Sequence, residues 1–505
     1  MLADASKRGA GWRRGAAIRA IAATVVAIVA AAAPSAAASG GAEGCDRSRP
    51  ALEYLPGGEP HAQSGRARLI PCRLGTGQDA GEPSFGFGQA GQIFYETWDL
   101  DAPRTPSGVV RSSDEGHTWS VVSPPAPGVV TSLDPTLLVD PRTGRVFDSN
   151  YAGNGNANCD TISYSDDGGA SWSTHALCEA GFDGGSLGVG PPVRHSKTNG
   201  YPNVVYYCAS ASLGSAPPPS SPTCAKSLDG GASFALTSPP FALEGPADEF
   251  ANWSGPPVVG PDGAVYVPKR SGGEPFLAVS HDEGNTWTDI RVANNGDSSE
   301  DNRMAIDRRG DLYYTWQAAD HLPYFSFSRD DGRLWSTPVQ LAPSGVRETA
   351  LARVAVDPSG RSLAVVYLGS TNAPGVPPYY HFCQEYLEMC SDGAYANATW
   401  NGYLTVVEKP LLPAPLLRTA TANSPSKPLF IGGCSPDGGC KANVDFLDVH
   451  FDSHRHPWGA FVDDCALTAE PGGPAMAFNP QFGPCEDGTG EGFLVELRRG
   501  TVPSR

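Results

Sequence analysis

Residues 112–119 read SSDEGHTW, and this eight-residue pattern returns four more times. It stands at 165–172 as SDDGGASW, at 227–234 as SLDGGASF, at 280–287 as SHDEGNTW and at 328–335 as SRDDGRLW. The copies start 53, 62, 53 and 48 residues apart. Self-similarity at such a period marks a repeat architecture, in which each unit leans on its neighbours. The carboxylates of Asp114, Asp167, Asp229, Asp282 and Asp330 are placed to accept backbone N–H groups inside a tight turn. The following glycine can take a positive φ. Trp119, Trp172, Phe234, Trp287 and Trp335 supply a large ring to bury between neighbouring sheets. The fifth copy carries Leu334 where the others carry Ser or Thr. The pattern reads as a hairpin clasp, not as a ligand site.

A second element precedes each copy: an apolar run, a turn with Gly, then an aromatic-rich strand. Examples are residues 136–148 (TLLVDPRTGRVFD), 257–268, 303–317 and 353–368. Alternating apolar residues around such turns predict hairpins. Together the two elements make a four-stranded antiparallel unit. Units begin near residues 84, 134, 186, 255, 303, 352 and 444. The fold class is therefore all-β, a β-propeller of about seven blades. Six is the alternative, because the third unit is irregular. The last unit lacks a fourth strand, which the stretch around Arg68 to Cys72 could supply. Residues 39–79 read as an N-terminal segment and 80–500 as one propeller domain, with insertions at 369–400 and 409–441.

The chain has 505 residues, with 60 Gly and 47 Pro, a composition rich in turns yet 40% hydrophobic. Arg8, Arg13, Arg14 and Arg19 precede an apolar stretch at residues 20–33, and Ala36 to Ala38 suits a cleavage site. Residues 1–38 thus read as an export signal, of Sec or twin-arginine type, and the protein as secreted. No later segment is apolar enough for a membrane span. The formal net charge of −18 argues against nucleic acid as a partner. All 12 cysteines follow the signal and fall into sequential pairs: Cys45/Cys72, Cys159/Cys178, Cys208/Cys224, Cys383/Cys390, Cys434/Cys440 and Cys465/Cys485. An even count in an exported chain suggests disulfides. No second close Cys/His pair completes a zinc site around Cys434 and Cys440, so no metal is assigned.

The repeat resembles the Asp box of sialidase-like propellers, and the resemblance spans roughly residues 80–500. It implies that scaffold. Sialic acid-cleaving members grip the substrate carboxylate with three arginines and use a Tyr nucleophile, a Glu and an Asp. Here the first unit reads EPSFGFG at 82–88, with no arginine where the family carries its first. Residues 262–270 resemble the stretch that ends in the second arginine, so the resemblance points to Arg270 as a ligand-binding residue. The family's Glu falls by register on Ser254, with Glu249 nearby. The nucleophile position falls on Leu351. Arg303 and Arg353 sit at inner-strand starts and could face the central mouth.

Most of the catalytic pattern is thus missing. The expected function is recognition of a glycan or surface polymer, without sialidase turnover. The alternatives are a glycosidase with a rearranged acidic site and a cell-surface protein-interaction scaffold. Asp134, Asp301, Asn302, Asp445 and Asp448 fall near inner-strand ends. They would suit Ca²⁺ or a carboxylate pair for glycoside hydrolysis, although ordinary capping also accounts for them. His450, His454 and His456 lie close together, the last two reading as a turn.

Overall fold

The computed structural model describes residues 38–39, 44–65, 67–97, 108–123, 135–153, 158–177, 182–211, 222–241, 254–271, 273–295, 302–373, 397–432, 446–463 and 490–501. Their strands form seven antiparallel sheets, one for each unit of the sequence. The third unit, irregular in sequence, forms its own sheet from Phe182–Gly190, Val204–Ala211, Thr223–Ser227 and Ala235–Leu236. The inner strands are Phe85–Phe87, Thr136–Val139, Phe182–Gly190, Val258–Val259, Arg303–Ile306, Glu348–Val356 and Asp448–Phe451. They touch one another in a closed cycle around a central axis. This is a propeller, and radial repetition leaves few sheet edges exposed.

Two sheets are composite. In the seventh, Ala67–Ala80 pairs with Gly490–Thr501, so strands from both ends of the chain share one sheet. In the sixth, Leu416–Thr421 pairs with Thr399–Glu408 as the fourth strand. That differs from the sequence reading, which assigned 409–441 to an insertion. The strand at 416–421 (LLRTAT) is short and follows a Pro-rich stretch, so it carried no repeat signal. Leu52–Tyr54 and His61–Ala62 extend this sheet further outward.

The core lies between sheets. Tyr313, Phe325, Leu363 and Tyr367 are fully buried between the fifth and sixth sheets. Trp400, Phe461 and Phe493 are buried between the sixth and seventh. Burying each such side chain contributes about 1.5–3 kcal/mol. Disulfides join Cys45 to Cys72 and Cys208 to Cys224, each between residues directly opposite on paired strands. Cys159 is also disulfide-bonded. The other six cysteines of the predicted pairs, and Cys178, lie outside the described residues.

The repeat forms the turn between the third and fourth strands of each of the first five sheets. In the first copy, Asp114 Oδ1 accepts the Thr118 N–H at 2.8 Å, and Oδ2 accepts the Thr118 hydroxyl at 2.6 Å. The Ser112 hydroxyl donates to Asp114 and accepts the Gly116 N–H at 2.8 Å. The same bonds recur around Asp167, Asp229 and Asp282. At Asp330 the Leu334 N–H remains, and Leu334 has no hydroxyl to donate. The Thr118 hydroxyl and then its N–H hold Asp114 down at about 2. The Ser171 hydroxyl and N–H do the same for Asp167.

The clasp also stitches sheet to sheet. Gly169 has a φ of 87°, and a Cβ there would meet Val122 Cβ of the first sheet's edge at 2.7 Å. Trp172 Nε1 donates to the Val122 carbonyl at 2.6 Å, and Trp287 Nε1 to the Ser238 carbonyl at 2.9 Å. Only Trp119 among the repeat aromatics is fully buried; Trp172, Phe234, Trp287 and Trp335 are half-buried. The rings lie at the sheet rim because an exposed turn delivers them.

Candidate functional site at the mouth of the central channel

The seven inner strands enclose a channel of about 440 Å³. Its walls are mostly aliphatic: Leu137, Val139, Leu187, Val189, Val259 and Ile306 point short apolar side chains at the axis. Charge enters on the fifth, sixth and seventh inner strands. Arg303 begins the fifth inner strand, Arg353 lies within the sixth, and Asp448 begins the seventh with His450 two residues on. All four line the channel.

Arg353 is aimed by a bulge. The register of its strand shifts between Ala350 and Arg353, and Leu351 stands at φ 59°. A leucine on left-handed backbone costs on the order of 1 kcal/mol. Bulges of this kind re-aim the next side chain. The Arg353 guanidinium lies over the Phe446 ring, 4.6 Å from its centroid, and its Nη1 is 3.7 Å from Asp448 Oδ1. Asp448 in turn accepts the Phe85 N–H at 3.0 Å and lies 3.1 Å from His450 Nε2. Burial opposes the charge on Asp448, but His450, Arg353 and the Phe85 amide outweigh it and hold the carboxyl below its usual range.

Other expected residues fall differently. Arg303 Nη1 donates to the Asn302 carbonyl at 3.2 Å, and Asn302 is fully buried. Arg270 is buried near the end of Val265–Ser271, opposite Pro275, and does not line the channel. Ser254 bridges to Lys269, and Leu351 is packed in the core. Glu249, Asp134, Asp301 and Asp445 lie outside the described residues. Asp448, the described carboxylate of the expected acidic set, is engaged by Arg353 and His450, which are poor neighbours for a hard cation.

A carboxyl pair was not foreseen. Glu96 and Asp148, on the second strands of the first and second sheets, are both buried, and their side chains hydrogen-bond to each other. Two carboxyls can do so only by sharing a proton. Burial pushes Asp148 up to about 7, with the bonds from Glu96 and Asn150 opposing. Asn150 Nδ2 lies 2.8 Å from both Asp148 oxygens. The pair sits one strand outward from the channel. Acidic and amide residues directly after aromatic runs, at 93–96 and 146–150, were its available signal.

This mouth can hold an anionic or hydroxyl-rich group between arginines on adjacent inner strands. It offers one described carboxylate to the channel, so it lacks the facing acid pair of a glycosidase among the described residues.

No family model matches this chain. No curated protein matches it either. Among solved structures, a mutant NanB sialidase from Streptococcus pneumoniae shares 11% identity, covering 91% of this chain and 94% of its own, with a TM-score of 0.40. A mutant Aleuria aurantia lectin in complex with Fucα1-6GlcNAc shares 11%, covering 64% and 91%, at 0.39. The Penicillium chrysogenum α-L-arabinanase complexed with arabinobiose shares 13%, covering 57% and 88%, at 0.40. Likeness at this level says nothing of activity, and the fold stands on the strand pairings.

Proposed function

We propose that this protein is an exported propeller that recognises a glycan or another surface polymer at its channel mouth, without sialidase turnover. The observation that carries the reading is the convergence of Arg303 and Arg353 on one channel, beside Asp448 and His450. Guanidinium groups supply forked donors suited to carboxylate or sulfate groups of an acidic polymer. The positions where the sialidase resemblance requires a Tyr and a Glu hold Leu351 and Ser254. The Cys45–Cys72 and Cys208–Cys224 bonds favour an oxidising compartment.

The test is a binding panel of acidic and neutral polysaccharides, run beside fluorogenic glycosides that include a sialoside. Retention on an acidic polymer is expected to weaken at least about tenfold in Arg303→Ala, and less in Arg353→Lys, which keeps the charge beside Asp448. No glycoside should turn over. Sialoside turnover that disappears in Arg270→Ala would overturn the reading.

A further inference from the structure

At the far end of the strand that begins with Asp448, the chain turns through Asp452 to His456 and enters Pro457–Asp463. The turn is tight. Asp452 N–H donates to the His456 carbonyl at 3.0 Å, and Arg455 stands at φ 66°. Asp452 Oδ1 accepts the His456 N–H at 2.7 Å, and Oδ2 accepts the Trp458 indole N–H at 3.3 Å. These bonds hold the carboxylate against the imidazole. On the neighbouring strand stands Glu496, fully buried. Its Oε2 takes the guanidinium of Arg498, which also reaches Glu115. Its Oε1 lies 2.8 Å from His456 Nδ1. Asp452 Oδ2 lies 3.4 Å from the same nitrogen.

We propose that Asp452, His456 and Glu496 form a binding site for a divalent transition ion of the Zn²⁺ type. The three donor atoms all lie within 4.8 Å of one another. Zinc bonds to N and O of about 2.0–2.2 Å place tetrahedral ligands roughly 3.4 Å apart, so one ion can reach all three with small side-chain shifts. One nitrogen and two carboxylate oxygens suit zinc better than calcium, which takes six or more oxygens. The Trp458 indole and the His456 amide orient Asp452 as outer partners orient metal ligands. The His456 ring is half-exposed, which leaves the fourth position to water. Arg498 occupies only the second Glu496 oxygen, and its charge is offset by the two carboxylates. This site lies at the opposite end of the inner strand from Asp448 and is independent of polymer binding at the mouth.

The experiment uses the full chain after chelator treatment and dialysis. Zn²⁺ is titrated by calorimetry, and melting curves are recorded with and without it. The expected result is a Zn²⁺ site, with a raised melting temperature, that His456→Gln weakens at least about tenfold. His456→Gln changes a half-exposed ring and leaves the Glu496–Arg498 pair in place, so it is the variant least disruptive to the fold. Asp452→Asn is expected to weaken binding in the same way, and circular dichroism checks that both variants are folded. Equal stoichiometry and affinity in wild type and folded His456→Gln would overturn the proposal. So would the absence of binding heat at millimolar Zn²⁺.

Discussion

The carboxyl of Asp148 is hydrogen-bonded to that of Glu96 across the boundary between the first and second sheets, with both side chains out of water. Folding therefore raises the Asp148 carboxyl from its ordinary value to about 7. The unfolded chain loses this proton near pH 4 and the folded protein near pH 7. The associated stability is present below pH 4 and is lost as pH rises towards 7. Asp148→Asn is expected to flatten that decline, stabilising the protein at pH 8 by an amount on the order of a few kcal/mol. Denaturant unfolding at pH 5 and pH 8 measures it. An equal difference from wild type at both values would mean that the pair holds no extra proton.

The repeat aspartates act with the opposite sign. Asp114 and Asp167 are held at about 2 by bonds from Thr118 and Ser171. Their contribution is complete above pH 4 and is lost as pH falls through 2. Both side chains are exposed, so each effect is small. In acid titrations followed by circular dichroism, the double variant Asp114→Asn, Asp167→Asn should unfold over a shallower pH range than wild type.

The fifth clasp is the weak one. Leu334 is 74% exposed and offers no hydroxyl to Asp330. Leu334→Thr restores the side-chain bond seen at Thr118 and Thr286 and removes an exposed apolar group. A gain of about 0.5–1 kcal/mol is expected, read as a higher melting temperature. A fall in melting temperature would show that Leu334 packs usefully where it stands.

Two glycines separate backbone strain from close packing. Gly57 has a φ of 72° with open space around it, whereas Gly169 has a φ of 87° with Val122 in the way. Gly57→Ala should cost about 1–2 kcal/mol, from backbone alone. Gly169→Ala should cost about 1–3 kcal/mol more, because Val122 must move. Paired melts of the two variants give the difference directly.

The clasps and hairpins were legible because their chemistry is local. An Asp, a Gly and a hydroxyl within eight residues specify a turn whatever surrounds them. Leu416–Thr421 was not legible, since it is a strand only by pairing with Thr399–Glu408 and carries no clasp. The mouth shows the same division. Arg303 could be placed because it begins an inner strand; Arg353 was expected at a strand start and lies instead well inside Glu348–Val356. Glu96 and Asp148 could not be placed, because they meet only when two sheets pack, 52 residues of chain apart. Asp452 and His456 share a turn, but Glu496 joins them from another strand across the sheet.

The pairing of Ala67–Ala80 with Gly490–Thr501 bears on how the molecule comes into being. The seventh sheet has no outer wall until both partners are available, so the ring stays open while the chain emerges. One edge of the first strand pairs locally with Gly44–Cys45, but the edge that meets Gly490–Thr501 must wait open through the synthesis of some four hundred residues. Joining such distant segments is slow, since loop closure is penalised before any contact rewards it. Strands left waiting are also the ones most exposed to pairing with the wrong chain.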